Sequence, residues 1–306
     1  MTDPEPGSAG LGDGVLPGLF AYLVWGVLPV YFKLTEHVDV LEVLAHRIVW
    51  AVPLGALILL FRRQWPDVRR AFLNARSFFW LFLAAAFIGL NWCIYIYAVQ
   101  QDQVFQASLG YYINPLMYVA IGVMFLGESL RRLQRVSIAL ATVGVLVLTV
   151  SYGELPWIAL ALGLTFTAYG VIRKQIPVGA MPGLFIETLL LLPLAAAWLV
   201  WITANDASSF ATVSRGTDFL LLLSGPLTVI PLLCFAVAAR KLTLTTIGFM
   251  QFIAPTLQFL IGVAYGELLT TAHLVCFAFI WTAVGLFSFD VVQANRRQAK
   301  SRAKPV

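Results

Sequence analysis

The sequence predicts an all-α membrane protein of ten transmembrane helices, arranged as two inverted five-helix repeats. Three observations carry this expectation. The 306-residue chain is 60% hydrophobic and only 11% charged, with mean hydropathy +0.86, whereas an ordinary soluble domain carries about 25% charged residues. Two polar stripes, Tyr111–Pro115–Tyr118–Gly122 and Gln251–Pro255–Gln258–Gly262, correspond position by position at an offset of 140 residues. The basic residues collect in alternate connections between apolar runs.

A membrane-crossing helix needs about 20 mainly apolar residues. That length places spans near 14–34, 43–61, 77–99, 105–127 and 132–150, then near 155–172, 181–201, 217–239, 243–265 and 271–292. The first repeat is therefore 14–150 and the second 155–292. Residues 1–13, rich in Gly, Pro and acid, are expected to be disordered, as is the basic cytoplasmic tail (293–306) from Arg296. Only Asp3, Glu5 and Asp13 are charged ahead of the first run. It lacks the basic flank of a secretory signal and is expected to remain as a span.

The 140-residue offset also relates Lys33 to Arg173, Arg47 to Glu187, Pro53 to Pro193, Ala98 to Ala238 and Ile113 to Ile253. It drifts by one residue at Gly127–Glu128 against Gly266–Glu267, and at Gly144 against Gly285. An odd number of spans per unit means that the second unit enters the bilayer from the opposite face. Of the 20 Lys and Arg residues, all but Lys33, Arg47 and Arg215 fall on one side, which puts both termini in the cytoplasm. Inverted repeats of this kind point to a carrier with its site between the halves, near the bilayer midplane.

The stripes in the fourth and ninth spans follow i, i+4, i+7 and i+11, which is one helix face. Proline frees a backbone carbonyl, and such backbone is tolerated where it lines a cavity. The candidate substrate-binding residues are Tyr111, Asn114, Tyr118, Gln251 and Gln258, with Asn91, Trp92 and Tyr95 of the third span. The expected cavity is lined by the third, fourth, eighth and ninth spans. Helix–helix hydrogen bonding and aromatic packing are the alternative role for these side chains. Tyr22, Trp25 and Pro29 of the first span are secondary candidates.

Glu187 stands about six residues inside the seventh span, where a carboxylate costs about 2.5–3.5 kcal/mol on insertion scales. It is a candidate for proton coupling or, alternatively, for an ion pair with Arg47 or Arg173. His46 and Arg47, near the outer end of the second span, are coupling or gating candidates able to recognise an anionic group or to titrate near neutral pH. Interfacial anchoring is their other reading, and Lys33 is read as such an anchor. Glu128 and Glu267 are expected at helix ends with Gly supplying a turn, and Gly144 and Gly285 at tight helix crossings.

The stretches Trp25–Gly26 to Tyr31–Phe32–Lys33, His46–Arg47, Gly89–Leu90–Asn91–Trp92, Ala107 to Pro115 and Phe125–Leu126–Gly127–Glu128 together resemble RarD-type permeases. So do Ile186–Glu187–Thr188, Pro231 to Phe235, Gly248 to Thr256 and Tyr265–Gly266–Glu267. RarD-type permeases belong to the EamA branch of the drug/metabolite transporter superfamily. The resemblance implies two inverted five-helix repeats, export or exchange of small metabolites or drugs, and a bacterial inner membrane. It supplies no substrate.

The partners expected are therefore the lipid bilayer, a small-molecule substrate and, if Glu187 titrates, protons. A homodimer is open, although no residue pattern demands one. Nucleic acid is not expected, because the net charge of +5 sits in short loops. Cys93, Cys234 and Cys276 lie in apolar runs without metal-ligand spacing, and no metal or cofactor is expected. A channel or facilitator is the alternative function. An intramembrane enzyme is a distant third, since His37, His46 and His273 form no HExxH pattern and no GxSxG or Walker A motif occurs.

Overall fold

The computed structural model describes residues 12–126, 131–242, 246–247 and 250–302, which form helices and short connections with no strand among them. In chain order the helices are α1 (Gly12–Leu34), α2 (Val40–Phe61), α3 (Trp65–Leu73), α4 (Ala75–Gln100) and α5 (Val104–Leu126). They continue with α6 (Arg132–Tyr152), α7 (Trp157–Gln175), α8 (Ala180–Ala204) and α9 (Arg215–Lys241). The last two are α10 (Ile253–Ala264) and α11 (Thr271–Arg302). Among the described residues, α1, α2, α4, α6, α8, α9 and α11 are long and apolar enough to cross a membrane, and α10 is a shorter apolar helix.

Local chemistry sets several boundaries. The Asp39 carboxylate accepts from the Leu41 and Glu42 amides at the start of α2, and Asn74 and Ser214 cap α4 and α9 in the same way. α6 ends on Gly153 in the left-handed conformation, at φ +69°.

Three elements depart from the sequence expectation. α3, with Pro66 in its first turn and Val68 and Ala71 buried, is an extra short helix in the connection between α2 and α4. Its apolar residues are too few for a span and too periodic for a loop. The segment from Arg296, expected to be disordered, continues α11 as helix to Arg302. No Gly or Pro lies between Gly285 and Arg302, and Gln, Ala, Arg and Lys are good helix formers. In the ninth span residues 246, 247 and 250 are helical, a turn at 251 and 252 interrupts the helix, and it resumes at Ile253, whereas α5 runs unbroken past Pro115. Gly127 and Glu128 lie outside the described residues, as do residues 1–11.

The helices pack as an interlocked bundle. α1 lies on α9 and α10, α4 and α5 lie on α7, α2 lies between α8 and α9, α5 meets α10, and α6 meets α11. Bare glycines permit the closest crossings. A Cβ on Gly225 of α9 would sit 2.5 Å from the Trp50 carbonyl carbon of α2, and one on Gly144 of α6 3.1 Å from the Cys276 oxygen of α11. Gly285 does not do the same: nothing lies within 4 Å of a Cβ there, so the expected tight crossing holds for Gly144 only. The outer face is apolar, with Leu57, Leu60, Phe61, Leu146, Val150, Leu194 and Val200 exposed. Arg47, Asn91, Glu187 and Gln258 are buried inside. Apolar outside and polar inside is the arrangement that a hydrocarbon solvent selects.

Candidate substrate-binding site

The central cluster is built on Arg47 of α2. Packing of α2 against α9 buries the side chain to 7% exposure and brings its Nε to Thr228 Oγ1 at 2.7 Å. The guanidinium lies 4.4 Å from the centre of the Trp92 ring on α4 and 5.8 Å from that of Phe32 on α1. No carboxylate pairs with it among the described residues. A chain of rings continues from Phe32 to Tyr95 (5.8 Å), Tyr111 (5.6 Å) and Phe166 (5.7 Å). The Tyr95 hydroxyl is buried without a hydrogen-bond partner.

Asn91 joins three helices. Its amide nitrogen donates to Leu162 O (3.0 Å) and Thr165 Oγ1 (2.9 Å) of α7, and its oxygen accepts from the Tyr111 hydroxyl of α5 (3.1 Å). Its hydrogen-bonding capacity is thus used within the protein, and Tyr111 is held by it. Tyr118, at 36% exposure, donates to Phe166 O at 3.4 Å. Asn114 is buried with its side-chain oxygen unpartnered.

The second stripe meets the first. Ser108 of α5 donates to the Pro255 carbonyl at 2.8 Å, and the Tyr112 hydroxyl lies 2.6 Å from Thr256 Oγ1. Gln258 is buried and donates to Trp25 O of α1 at 3.1 Å, leaving its oxygen unpartnered. Trp25 packs with Tyr22 and Phe235. Gln251 sits in the turn before α10, half-buried. An open groove of about 790 Å³ beside this contact is lined by Tyr112, Phe252, Thr256, Trp281, Gly285 and Ser288, and does not include Arg47.

Glu187 has a partner, and it is Arg173. Arg173 Nε stands 3.3 Å from Glu187 Oε1, and the Tyr169 hydroxyl donates to Oε2 at 3.2 Å. Arg173 also donates to Gly179 O at 3.2 Å, so the pair ties the end of α7 to the start of α8. His46 accepts from Trp50 Nε1 at 3.1 Å and stands 4.0 Å from the buried Glu42 carboxylate. Glu42 in turn accepts from Ser208 Oγ and the Ser209 and Phe210 amides, fastening the α8–α9 connection against α2. Lys33 pairs with Asp102 and Glu36, joining α1 to the turn before α5.

Glu267 accepts from the Phe105 amide at 3.0 and 3.1 Å and so caps the start of α5. Gly266, at φ +80°, makes the turn expected of it. Burial, partly offset by those amides, pushes the Glu267 carboxyl up to about 7.

Sequence reasoning missed Thr228, Tyr169 and Glu42. Glu42 carried a readable signal, one turn before His46 on the same face. Thr228 and Tyr169 had none, because short hydroxyls and aromatic rings are ordinary residues of a spanning helix.

A multi-helix bundle with an apolar exterior and charged side chains gathered inside defines a polytopic membrane protein. The known relatives narrow the class. Residues 13–150 match the EamA-like transporter family. Over 289 residues the chain is 42% identical to protein RarD of Escherichia coli, covering 94% of this chain and 98% of the other. An uncharacterized transporter of Vibrio cholerae is 42% identical over 94% of this chain and 96% of its own length. The chloramphenicol-sensitive protein RarD of Pseudomonas aeruginosa is 35% identical over 94% and 98%. One solved crystal structure shares the fold at TM-score 0.59 and 19% identity, over 90% of this chain and 96% of the other. The chain belongs to the RarD-type permeases of the EamA family, in the drug/metabolite transporter superfamily. It is a membrane transporter, not an enzyme.

Proposed function

We propose that this chain is a secondary transporter that exports or exchanges small metabolites or drugs across the bacterial cytoplasmic membrane by alternating access. In this reading residues 14–150 and 155–292 are inverted five-helix repeats, and both termini are cytoplasmic. The match of the family model to 13–150 supports the first boundary, and the one-sided distribution of Lys and Arg supports the topology.

The observation that carries the reading is the packing pattern. When the halves are exchanged, the contact of α1 with α9 becomes that of α7 with α4, and α1 with α10 becomes α7 with α5. The contact of α2 with α9 becomes that of α8 with α4. The pairs α2–α8, α5–α10 and α6–α11 map onto themselves, as pairs beside an exchange axis would, which supports the reading. Two halves related in this way can trade conformations and open the centre to each face in turn. Arg47, Trp92, Tyr95 and Tyr111 form the central wall, with Asn91 positioning Tyr111. Asn114, Tyr118, Gln251 and Gln258 extend that wall along α5 and the ninth span.

Proton coupling, in this reading, runs through Glu187, the acid buried inside α8. Its protonation removes the charge that holds Arg173 and so loosens α7 from α8.

The test is reconstitution into liposomes loaded with a pH-reporting dye, challenged with metabolite and drug pools. The name of the Pseudomonas relative puts chloramphenicol in the first pool. Saturable uptake with counterflow supports the carrier; linear, non-saturating flux overturns it in favour of a channel. Substrate-driven proton flux that persists in Glu187→Gln removes Glu187 from the coupling role.

A further inference from the structure

We propose that Arg47 receives an anionic group of the transported molecule, and that the cargo belongs to the organic carboxylates. This rests on the carrier reading above and names the chemistry of its central site.

Arg173, Arg131 and Lys33, elsewhere in the fold, each have a carboxylate. Arg173 has Glu187 at 3.3 Å, Arg131 has Asp290 at 2.9 Å, and Lys33 has both Glu36 and Asp102. Arg47 is buried as deeply as Lys33, yet it pairs with no carboxylate among the described residues. Its Nε edge is taken by Thr228, and its plane lies over Trp92. The terminal nitrogens, the edge that binds carboxylates bidentately, donate to no protein acceptor among those residues. One hydrogen bond and an aromatic face do not offset the burial of a full charge.

The second observation is independent. Tyr95 is 3% exposed, and its hydroxyl has no partner. The ring of Phe32 packs against Tyr95 and also lies beneath the Arg47 guanidinium. The other two tyrosine hydroxyls beside Arg47 are already engaged: Tyr31 donates to Leu220 O at 2.9 Å, and Tyr111 to Asn91 at 3.1 Å. A cation without an anion and a donor without an acceptor stand together. One acceptor group carrying one negative charge satisfies both, and a single guanidinium suits a carboxylate better than a phosphate dianion.

A purely structural Arg47, tying α2 to α4 and α9, is the rival. The experiment measures protection of the purified protein against heat by phenylacetate and indole-3-acetate, each compared with its uncharged amide. It is read alongside counterflow of the same compounds in proteoliposomes. The expected result is protection by the acids and not by the amides, weakened at least about tenfold in Arg47→Gln. Tyr95→Phe, which removes a hydroxyl without a protein partner, is expected to fold normally and weaken the acids about tenfold. Equal protection by acid and amide overturns the proposal, as does acid protection that survives both substitutions or is absent from the wild type. Counterflow of an uncharged drug after any of those results leaves the carrier standing. Absence of saturable flux for every solute removes the carrier reading itself.

Discussion

Arg173 reaches Glu187 across the bare backbone of Gly183. A Cβ on Gly183 would fall on the Arg173 guanidinium, and Glu187 follows one turn later on the same face of α8, 3.3 Å from Arg173 Nε. The glycine therefore holds open the lane through which the ion pair forms. Gly183→Ala is expected to displace the flexible guanidinium and leave Glu187 buried without its cation. Thermal unfolding of purified protein should show a loss of about 2–4 kcal/mol. Glu187→Gln in the same chain should recover much of it, since no charge is then stranded. Additive losses in the double variant would show that Gly183 acts elsewhere.

The cap that Glu267 places on α5 makes stability depend on pH. Burial is the larger influence on this carboxyl, with Asp102 adding to it, while the Phe105 and Val104 amides and Lys33 oppose it. Its folded value of about 7 lies above the ordinary 4.5, so folding favours the protonated form. The stabilising contribution is complete below about pH 4.5 and is lost as pH rises through 7. Unfolding followed between pH 5 and 8 should show a decline of about 1–3 kcal/mol that Glu267→Gln flattens. An unchanged slope in that variant would assign the decline to other groups.

Gly225 and Gly285 should respond to alanine with opposite signs. Gly225 faces backbone atoms of Trp50 at 2.5 and 2.6 Å, which cannot step aside. Gly225→Ala is expected to cost about 1–3 kcal/mol or to abolish folded yield. Gly285 faces open space beside the 790 Å³ groove, and Gly285→Ala is expected to be neutral or to stabilise by up to about 1 kcal/mol. Melting temperatures of the two variants decide the matter.

Asn91 links α4 to α5 and α7 through three hydrogen bonds. Each is worth about 0.6 kcal/mol, and at most about 1.7, between membrane helices. Asn91→Ala should therefore lower stability by about 1–3 kcal/mol and free the Tyr111 ring. Asn91→Asp, which cannot donate to Leu162 O while ionised, should be the worse of the two. Equal melting temperatures for Asn91→Ala and the wild type would show that the three bonds contribute nothing net.

Hydropathy made the all-helical layout readable, because a bilayer imposes a minimum apolar length on each span separately. α3 and the helical tail escaped that reading. Their short or polar segments satisfy no membrane rule; local propensity makes the tail helical, and burial of Val68 and Ala71 supports α3. The stripes Tyr111–Pro115–Tyr118 and Gln251–Pro255–Gln258 were visible through their helical spacing in the sequence, although Gln251 lies in the turn before α10 and leaves that face. The contacts between them, such as Ser108 to Pro255, were not.

Residue type and spacing put Glu187 and Asn91 well inside expected spans, where each needs a partner, and Arg47 near the outer end of one. Only the packing of the helices chose the partners. Arg47 and Arg173 were equal candidates to pair with Glu187; the α7–α8 connection and the bare face of Gly183 gave it to Arg173. Arg47 was left against Trp92 and Thr228 without a carboxylate. One-dimensional pattern encodes the need for compensation of a buried charge, whereas its compensation depends on distances of a few ångströms between different helices, whether adjacent in the chain as for Arg173 and Glu187 or distant as for Arg47 and Thr228.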